Sequence, residues 1–450
     1  MVNPERRRLL QSLGGLGVTA VIAGCTGGDS GQADGDETET EGDGGSDATD
    51  ASSGGDSGSD GDTWNVGVLL PFTGTYDWVG ADIFPVADMI VQEINDNGGI
   101  AGRPVNLIQA DTEATVDASV TATQKLINSD NVRAVIGPTS LTYTGTIDIF
   151  QQEGVVSVSP PGSTTELNDV GGEYQFRTVP SDSLGGRAIA RAARDQSVNR
   201  VTTYERMAVM SGQAPALQAF KRPVTSSFEE FSGTIVENMD FSVEQASYQS
   251  EVSQVLDSDP EIITLVGTPE DSAKILNAAF QAGYEGNWFF TQDQTNDAFI
   301  DDVDEQLTEG AFGLKDAVSQ EAVESGRIEQ FKNDFREFAG RETGFFAENT
   351  YDATKVVMLG MKRAVMQDKS MPRQAIADSV PEIANPPGET VRNYQEGAQP
   401  LEDGEDINYQ GLSGPIDFDE NGNVLASFEI LQAQAGAWES IGRVTPEDLE

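Results

Sequence analysis

Twice along this chain a run of short apolar segments alternates with patterns of helical spacing, an order few architectures can accommodate. Residues 66–70 read as a buried strand. Ile83, Val86, Ala87, Ile90, Val91 and Ile94 then recur at helical spacing, and Asn97, Gly98 and Gly99 end that helix. Residues 105–108, 134–136 and 155–158 give further strands, with Val116, Val120, Leu126 and Ile127 marking a helix between the first two. The pattern restarts after Ser181. Residues 201–204, 261–266 and 288–291 read as strands, and a helix runs from Gly267-Thr268-Pro269 to Gly283. Residues 320–368 read as two long helices, one lined by Val323, Ile328, Phe331 and Phe335, the other by Tyr351, Val356, Val357, Leu359 and Met361. Strand–helix alternation requires right-handed crossovers and a parallel sheet covered on both faces. Two such units predict an α/β protein of two lobes. In open α/β sheets a ligand sits beyond the carboxyl ends of the strands, which for facing lobes is the cleft between them.

The length of 450 residues exceeds what one compact core holds and suits two or three domains. Asp plus Glu number 75 against 27 Lys plus Arg, for a net charge of −48. Such a surface repels phosphate backbones, so no nucleic-acid partner is expected. Residues 26–63 hold 12 of the acidic residues and no basic ones, which leaves −36 of the −48 on the rest of the chain. Acid spread over a whole folded surface resembles proteins of salt-loving organisms, where salt screens the self-repulsion. Histidine is absent and Cys25 is the single cysteine. Ser-His-Asp, Cys-His and His-based zinc chemistry are thereby excluded, as is an internal disulfide. No cofactor or metal is expected.

Residues 6–8 are three arginines, followed by a short, Gly-rich apolar stretch to Gly24 that is too short for a comfortable transmembrane helix. The arginines resemble a twin-arginine export signal. Ile22-Ala23-Gly24-Cys25 resembles a lipobox, so residues 1–24 are expected to be an export signal and Cys25 to carry a lipid at the extracellular face of the membrane. Residues 25–63, rich in Gly, Ser and Asp, bury too little to fold and read as a solvated linker.

Several segments carry a resemblance in a fixed order. They are residues 68–74, ending in Pro71-Phe72-Thr73-Gly74; residues 93–103; Asp111 after the second strand; Gly137-Pro138 and Ser159-Pro160 at strand ends; Phe176-Arg177-Thr178; Pro180-Ser181-Asp182; and residues 413–422. Together they resemble the branched-chain amino-acid-binding family of extracellular solute receptors, over nearly all of residues 64–450. The resemblance implies the two-lobed type I periplasmic-binding-protein fold, each lobe a mainly parallel sheet flanked by helices. Three hinge crossings are expected near 181–185, 309–312 and 413–425. Lobe 1 would comprise 64–182 and 312–413, and lobe 2 would comprise 183–311 and 414–450. It further implies a monomer that hands a small amino-acid-like solute to the permease and ATPase subunits of an ABC importer.

The family's carboxylate-binding turns fall here on Thr139, Ser140 and Leu141, and on Pro161, Gly162 and Ser163. Ser163 stands where the family places a hydroxyl; Ser163 and Glu166 equally fit a helix capping box. Pro161 lacks the N–H that a small residue would offer. Asp293 matches the acidic residue that pairs with the ligand's ammonium, and equally fits a surface carboxylate or a cap. Met210 and Thr268 stand where the family has tyrosines, which leaves the ligand open between amino acids and small amides or carboxylates. Tyr76 and Trp78, on the first loop, are expected either to cover the ligand or to lie on an exposed rim.

Residues 417–422 resemble the start of a calcium loop, but its twelfth position is Phe428 and an apolar strand follows, so a hairpin turn is expected. Asp301-Asp302 and Glu229-Glu230 read as solvated surface, and residues 385–411 as a surface excursion. Three functions fit: a transport receptor, a sensor of the same fold reporting to a signalling partner, and, disfavoured by the missing His, a carboxylate-based surface hydrolase.

Overall fold

A computed structural model describes residues 63–449 except Thr75. The export signal, the lipobox cysteine Cys25 and the linker expected over 25–63 lie outside the described residues, apart from Thr63.

Five strands form the first sheet: β1 (Trp64–Leu70), β2 (Val105–Asp111), β3 (Ala134–Ile136), β4 (Val156–Ser159) and β5 (Gln175–Arg177). Their order is β2-β1-β3-β4-β5, and every pairing is parallel. β1 is buried along almost its whole length because both sheet faces are covered, which explains its unbroken apolar run. The second sheet takes β6 (Arg206–Gly212), β7 (Thr234–Phe241), β8 (Ile262–Val266), β9 (Asn287–Phe290) and β10 (Phe312–Asp316), which are parallel to one another. Two short strands, β11 (Glu389–Val391) and β12 (Ile407–Tyr409), pair apart from both sheets. β13 (Phe428–Gln434) and β14 (Ala437–Val444) then extend the second sheet antiparallel, giving β14-β13-β10-β9-β8-β6-β7. The protein is thus α/β with two mainly parallel sheets, each flanked by helices.

The core of the first lobe joins Val66, Ile136 and Val158 of its sheet to the helix Ala347–Gln367, which is buried almost all round. That helix carries Lys355 and Lys362 inward, and each is neutralised by a carboxylate at the surface: Glu93 at 3.3 Å, and Glu402. The second sheet separates two clusters, one containing Phe289, Phe312 and Phe428, the other Met210, Leu265 and Phe290.

Four expectations change. The strand expected at 201–204 begins instead at Arg206. The side-chain oxygen of Asn199 accepts the N–H groups of Val201 and Thr202 at 2.7 and 3.0 Å, and so holds these residues in a turn. The crossing expected at 309–312 falls after Asp316. Phe312 and Leu314 bury in the second lobe's core, and β10 pairs with β9 and β13. Residues 414–424 belong with the first lobe, because Ile416, Phe418 and Val424 bury in its core, which leaves the third crossing just before β13. Residues 385–411 are no mere excursion. Val391, Tyr394, Leu401, Ile407 and Tyr409 seal the first lobe's core, and a helix, Tyr394–Asp403, lies between β11 and β12. In the 417–422 turn, Asp419 accepts the N–H groups of Asn421 and Asn423, and Phe418 bridges Val424, the geometry of a hairpin.

Candidate ligand-binding site

All three crossings line one small cavity, with Thr178 and Pro180 from the first, Asp316 and Ala317 from the second, and Val424 and Leu425 near the third. The strand ends and turns around this hinge carry the candidate site.

On the first lobe, Asp111 fastens the loop after β1. Its carboxylate accepts the N–H of Phe72 at 2.9 Å, the hydroxyl of Thr73 at 2.6 Å and the N–H of Glu113 at 2.9 Å. Burial works to raise its pKa, but these bonds outweigh burial and hold the carboxyl below its ordinary value. The turns after β3 and β4 meet. The hydroxyls of Ser140 and Ser163 lie 3.4 Å apart, and the Ser140 hydroxyl accepts the N–H of Thr164 at 3.1 Å. Pro161 is buried, Leu141 half-buried, and the Thr139 hydroxyl is buried with no hydrogen-bond partner among the described residues. The helix cap here is Thr164, not Ser163: the Thr164 hydroxyl accepts from Glu166 N at 3.4 Å. The Ser163 hydroxyl is thus not engaged in capping and lies beside that of Ser140.

On the second lobe, Asp293 sits in a single helical turn directly after β9. Its carbonyl accepts from Asn296 at 2.8 Å, whereas no hydrogen bond or ion pair reaches its carboxylate among the described residues. Burial alone raises its pKa to about 6. Tyr76, from the first lobe's loop, faces it: the phenol's pKa is raised by burial and then by the charges of Asp293, Glu244 and Asp271. The Asp293 charge acts on Tyr76 and on Asp182, and Asp182 bonds the Ser163 backbone, so these groups of the two lobes lie within electrostatic reach of one another.

Three expected residues are placed elsewhere or otherwise engaged. Met210 is fully buried in the second lobe's core beside Leu265 and Phe290, because strand alternation turns it to that face with Ala208. Thr268 caps the helix Pro269–Gln281, its hydroxyl accepting from Asp271 N at 3.1 Å. Trp78 is 37% exposed and packs on Phe345 with ring centroids 5.2 Å apart, the rim position rather than the pocket.

Two carboxylates escaped the sequence reading. Asp182 opens the helix Asp182–Arg194 and donates its N–H to the Ser163 carbonyl at 2.9 Å. Burial raises its pKa to about 7, with Asp293 adding to the rise and Ser163 and Arg177 opposing it. Asp316, at the end of β10, accepts from Gln292 and is likewise raised to about 7 by burial and by Asp182. The Pro180-Ser181-Asp182 motif pointed to the crossing but not to a charge facing the cleft; for Asp316 the sequence held no signal. A carboxyl whose folded pKa exceeds its unfolded value favours the fold while protonated. That contribution is complete below about 3.8 and is lost as pH rises through about 7. Asp182→Asn and Asp316→Asn are thus expected to raise the ligand-free melting temperature at pH 8 more than at pH 5, as read by calorimetry in molar salt.

Two mainly parallel sheets joined by three crossings, with polar groups at the strand ends of both, are the architecture of a protein that binds a solute between two lobes. Residues 63–437 match the family described as "Periplasmic binding protein", and the chain belongs to it. It is 22% identical over 322 residues to the leucine-, isoleucine-, valine-, threonine- and alanine-binding protein of Pseudomonas aeruginosa, covering 70% of this chain and 82% of that one. It is also 22% identical over 370 residues to BasB, the substrate-binding protein of a chemotactic signal transduction system in Halobacterium salinarum, covering 78% and 82%. Among solved structures, a leucine-binding protein LivK from Thermotoga maritima superposes with a TM-score of 0.70 at 20% identity, over 86% of this chain and 99% of that one. The fold is therefore the type I periplasmic-binding-protein fold.

Proposed function

We propose that this protein captures a small amino-acid-like solute in its cleft, closes around it, and delivers it to an ABC permease and ATPase in the membrane. The observation that carries this reading is the unpaired, half-buried carboxylate of Asp293, set opposite Tyr76 and the Ser140–Ser163 hydroxyl pair. An ammonium neutralises the first. A carboxylate accepts hydrogen bonds from the hydroxyls. Closure needs no bond chemistry, only ligand contacts to both lobes in the closed state. The name of the Pseudomonas relative supports the ligand class. The lipobox pattern ending at Cys25 supports anchoring at the outer face of the membrane, and the charge of −48 supports a high-salt habitat. Similarity to BasB favours a second reading, in which the same capture reports to a chemotactic partner.

Calorimetric titration in molar salt against the twenty amino acids and a panel of short amides and carboxylates is the test. A saturable one-site heat with an amino acid is expected. Silence from all twenty, with heat from an uncharged amide or a simple carboxylate, would overturn the zwitterion pocket. Once a ligand is in hand, cross-linking of the loaded protein to membranes separates a permease from a chemotactic partner.

A further inference from the structure

We propose that Asn168 and Arg177 form a joint through which the ligand-facing turn at residues 161–164 moves the hinge; the proposal rests on the reading of the cleft as a ligand site. Arg177 ends β5, one residue before the first crossing begins, and is only 1% exposed. Its Nη1 donates to the carbonyls of Ser163 at 3.0 Å and Thr164 at 2.8 Å, with that of Gly162 at 3.5 Å. Its Nη2 donates to Asn168 Oδ1 at 2.6 Å. The guanidinium is thus a plug onto which the carbonyls of the ligand turn converge.

Asn168 carries the connection onward. Its Oδ1 also accepts the hydroxyl of Ser181 at 2.7 Å, on the first crossing. Its Nδ2 donates to the hydroxyl of Ser183 at 2.8 Å, in the first turn of the second lobe's helix Asp182–Arg194. Its carbonyl accepts from Asn423 Nδ2 at 3.1 Å, just before the third crossing, and the Arg177 N–H donates to the Gly422 carbonyl at 3.0 Å. The two side chains therefore touch the ligand turn, the first crossing and the second lobe, and the backbone of the same two residues meets the segment before the third crossing.

A buried polar network of this kind rearranges as a unit, because breaking one bond leaves a buried donor or acceptor unmatched. A ligand that engages the Ser163 hydroxyl displaces the carbonyls on Arg177. The displacement reaches Ser181 and Ser183 through Asn168. The planar fork of arginine is needed to hold the carbonyls and the amide together, which a lysine ammonium cannot do.

Small-angle scattering of the full chain, with L-leucine as the probe, reads the hinge directly. The wild type is expected to contract on saturation. Asn168→Ala is expected to bind leucine about tenfold more weakly and, at saturation, to contract by less than half as much. Arg177→Lys, which keeps the buried charge, acts in the same direction and serves as the second variant should the alanine variant fail to fold. A mere structural brace lowers the melting temperature yet leaves the contraction at saturation intact, and full contraction in both variants overturns the joint. If the wild type contracts with neither leucine nor any other amino acid, the ligand reading fails by itself. The ligand-free radii then decide: a changed radius in Asn168→Ala sustains the joint, and identical radii overturn it.

Discussion

Replacing Asp293 by alanine is expected to weaken binding of an ammonium-bearing ligand by about thirtyfold or more, with little change in melting temperature. The Asp293 carboxylate has no protein partner among the described residues, so its removal orphans nothing in the fold while it leaves a ligand ammonium desolvated and unmatched. Truncating one member of a buried charge pair costs about 2 kcal/mol or more, and about 2 kcal/mol is a factor of roughly thirty. The same group sets a pH profile. Burial raises its pKa to about 6, so that it is mainly protonated at pH 5 and mainly ionised at pH 7. An ammonium stabilises the ionised form. Affinity is therefore expected to rise about tenfold between those pH values, in proportion to the ionised fraction. Asp293→Asn keeps the shape and removes the charge, and should flatten that rise. Titration calorimetry at both pH values measures each point. Unchanged affinity in both variants would remove Asp293 from the site.

Asp352→Ala is expected to produce the largest loss of stability of any single substitution considered. Asp352 lies on the helix Ala347–Gln367 and is fully buried. Its two oxygens accept from the Tyr409 hydroxyl, Leu412 N and Ser413 N, each at 2.8 Å, and from the Ser413 hydroxyl at 2.5 Å. Burial raises its pKa to about 6 in spite of these four bonds. Alanine strands four donors, two of them backbone N–H groups, and the loss is about 3 kcal/mol. For a domain of this size that is a fall in melting temperature on the order of 5 °C. Asp352→Asn should not rescue it, because each oxygen serves two donors, one of them a backbone N–H that cannot turn to accept from the new amide. A melting curve within 1 or 2 °C of wild type, on the order of the shift an exposed substitution gives, would refute this account.

Much of the first lobe was legible in the sequence because its central strand β1 is apolar and buried on both faces. Val66, Val68 and Leu70 could only be core, and the helical spacing from Ile83 to Ile94 required a face to bury. Asp293 and the Ser140–Ser163 pair were legible as candidates because each directly follows a strand, where an open α/β sheet places its ligand. Met210 misled because a position matched along the chain does not say which face of the strand it occupies.

The sequence by itself determined the class of fold and its two lobes. It did so because periodicity and turn residues are local properties, read within a few positions. Which sheet the strand Phe312–Asp316 joins, and that residues 385–411 seal a core, were decided only by the tertiary structure. So was the convergence of Asp182 and Asp316 on the cleft, and of Arg177 and Asn168 on the hinge. Pairing and burial of this kind depend on which surfaces meet across long stretches of chain. A carboxylate or guanidinium reads the same in sequence whether water or a closed lobe surrounds it.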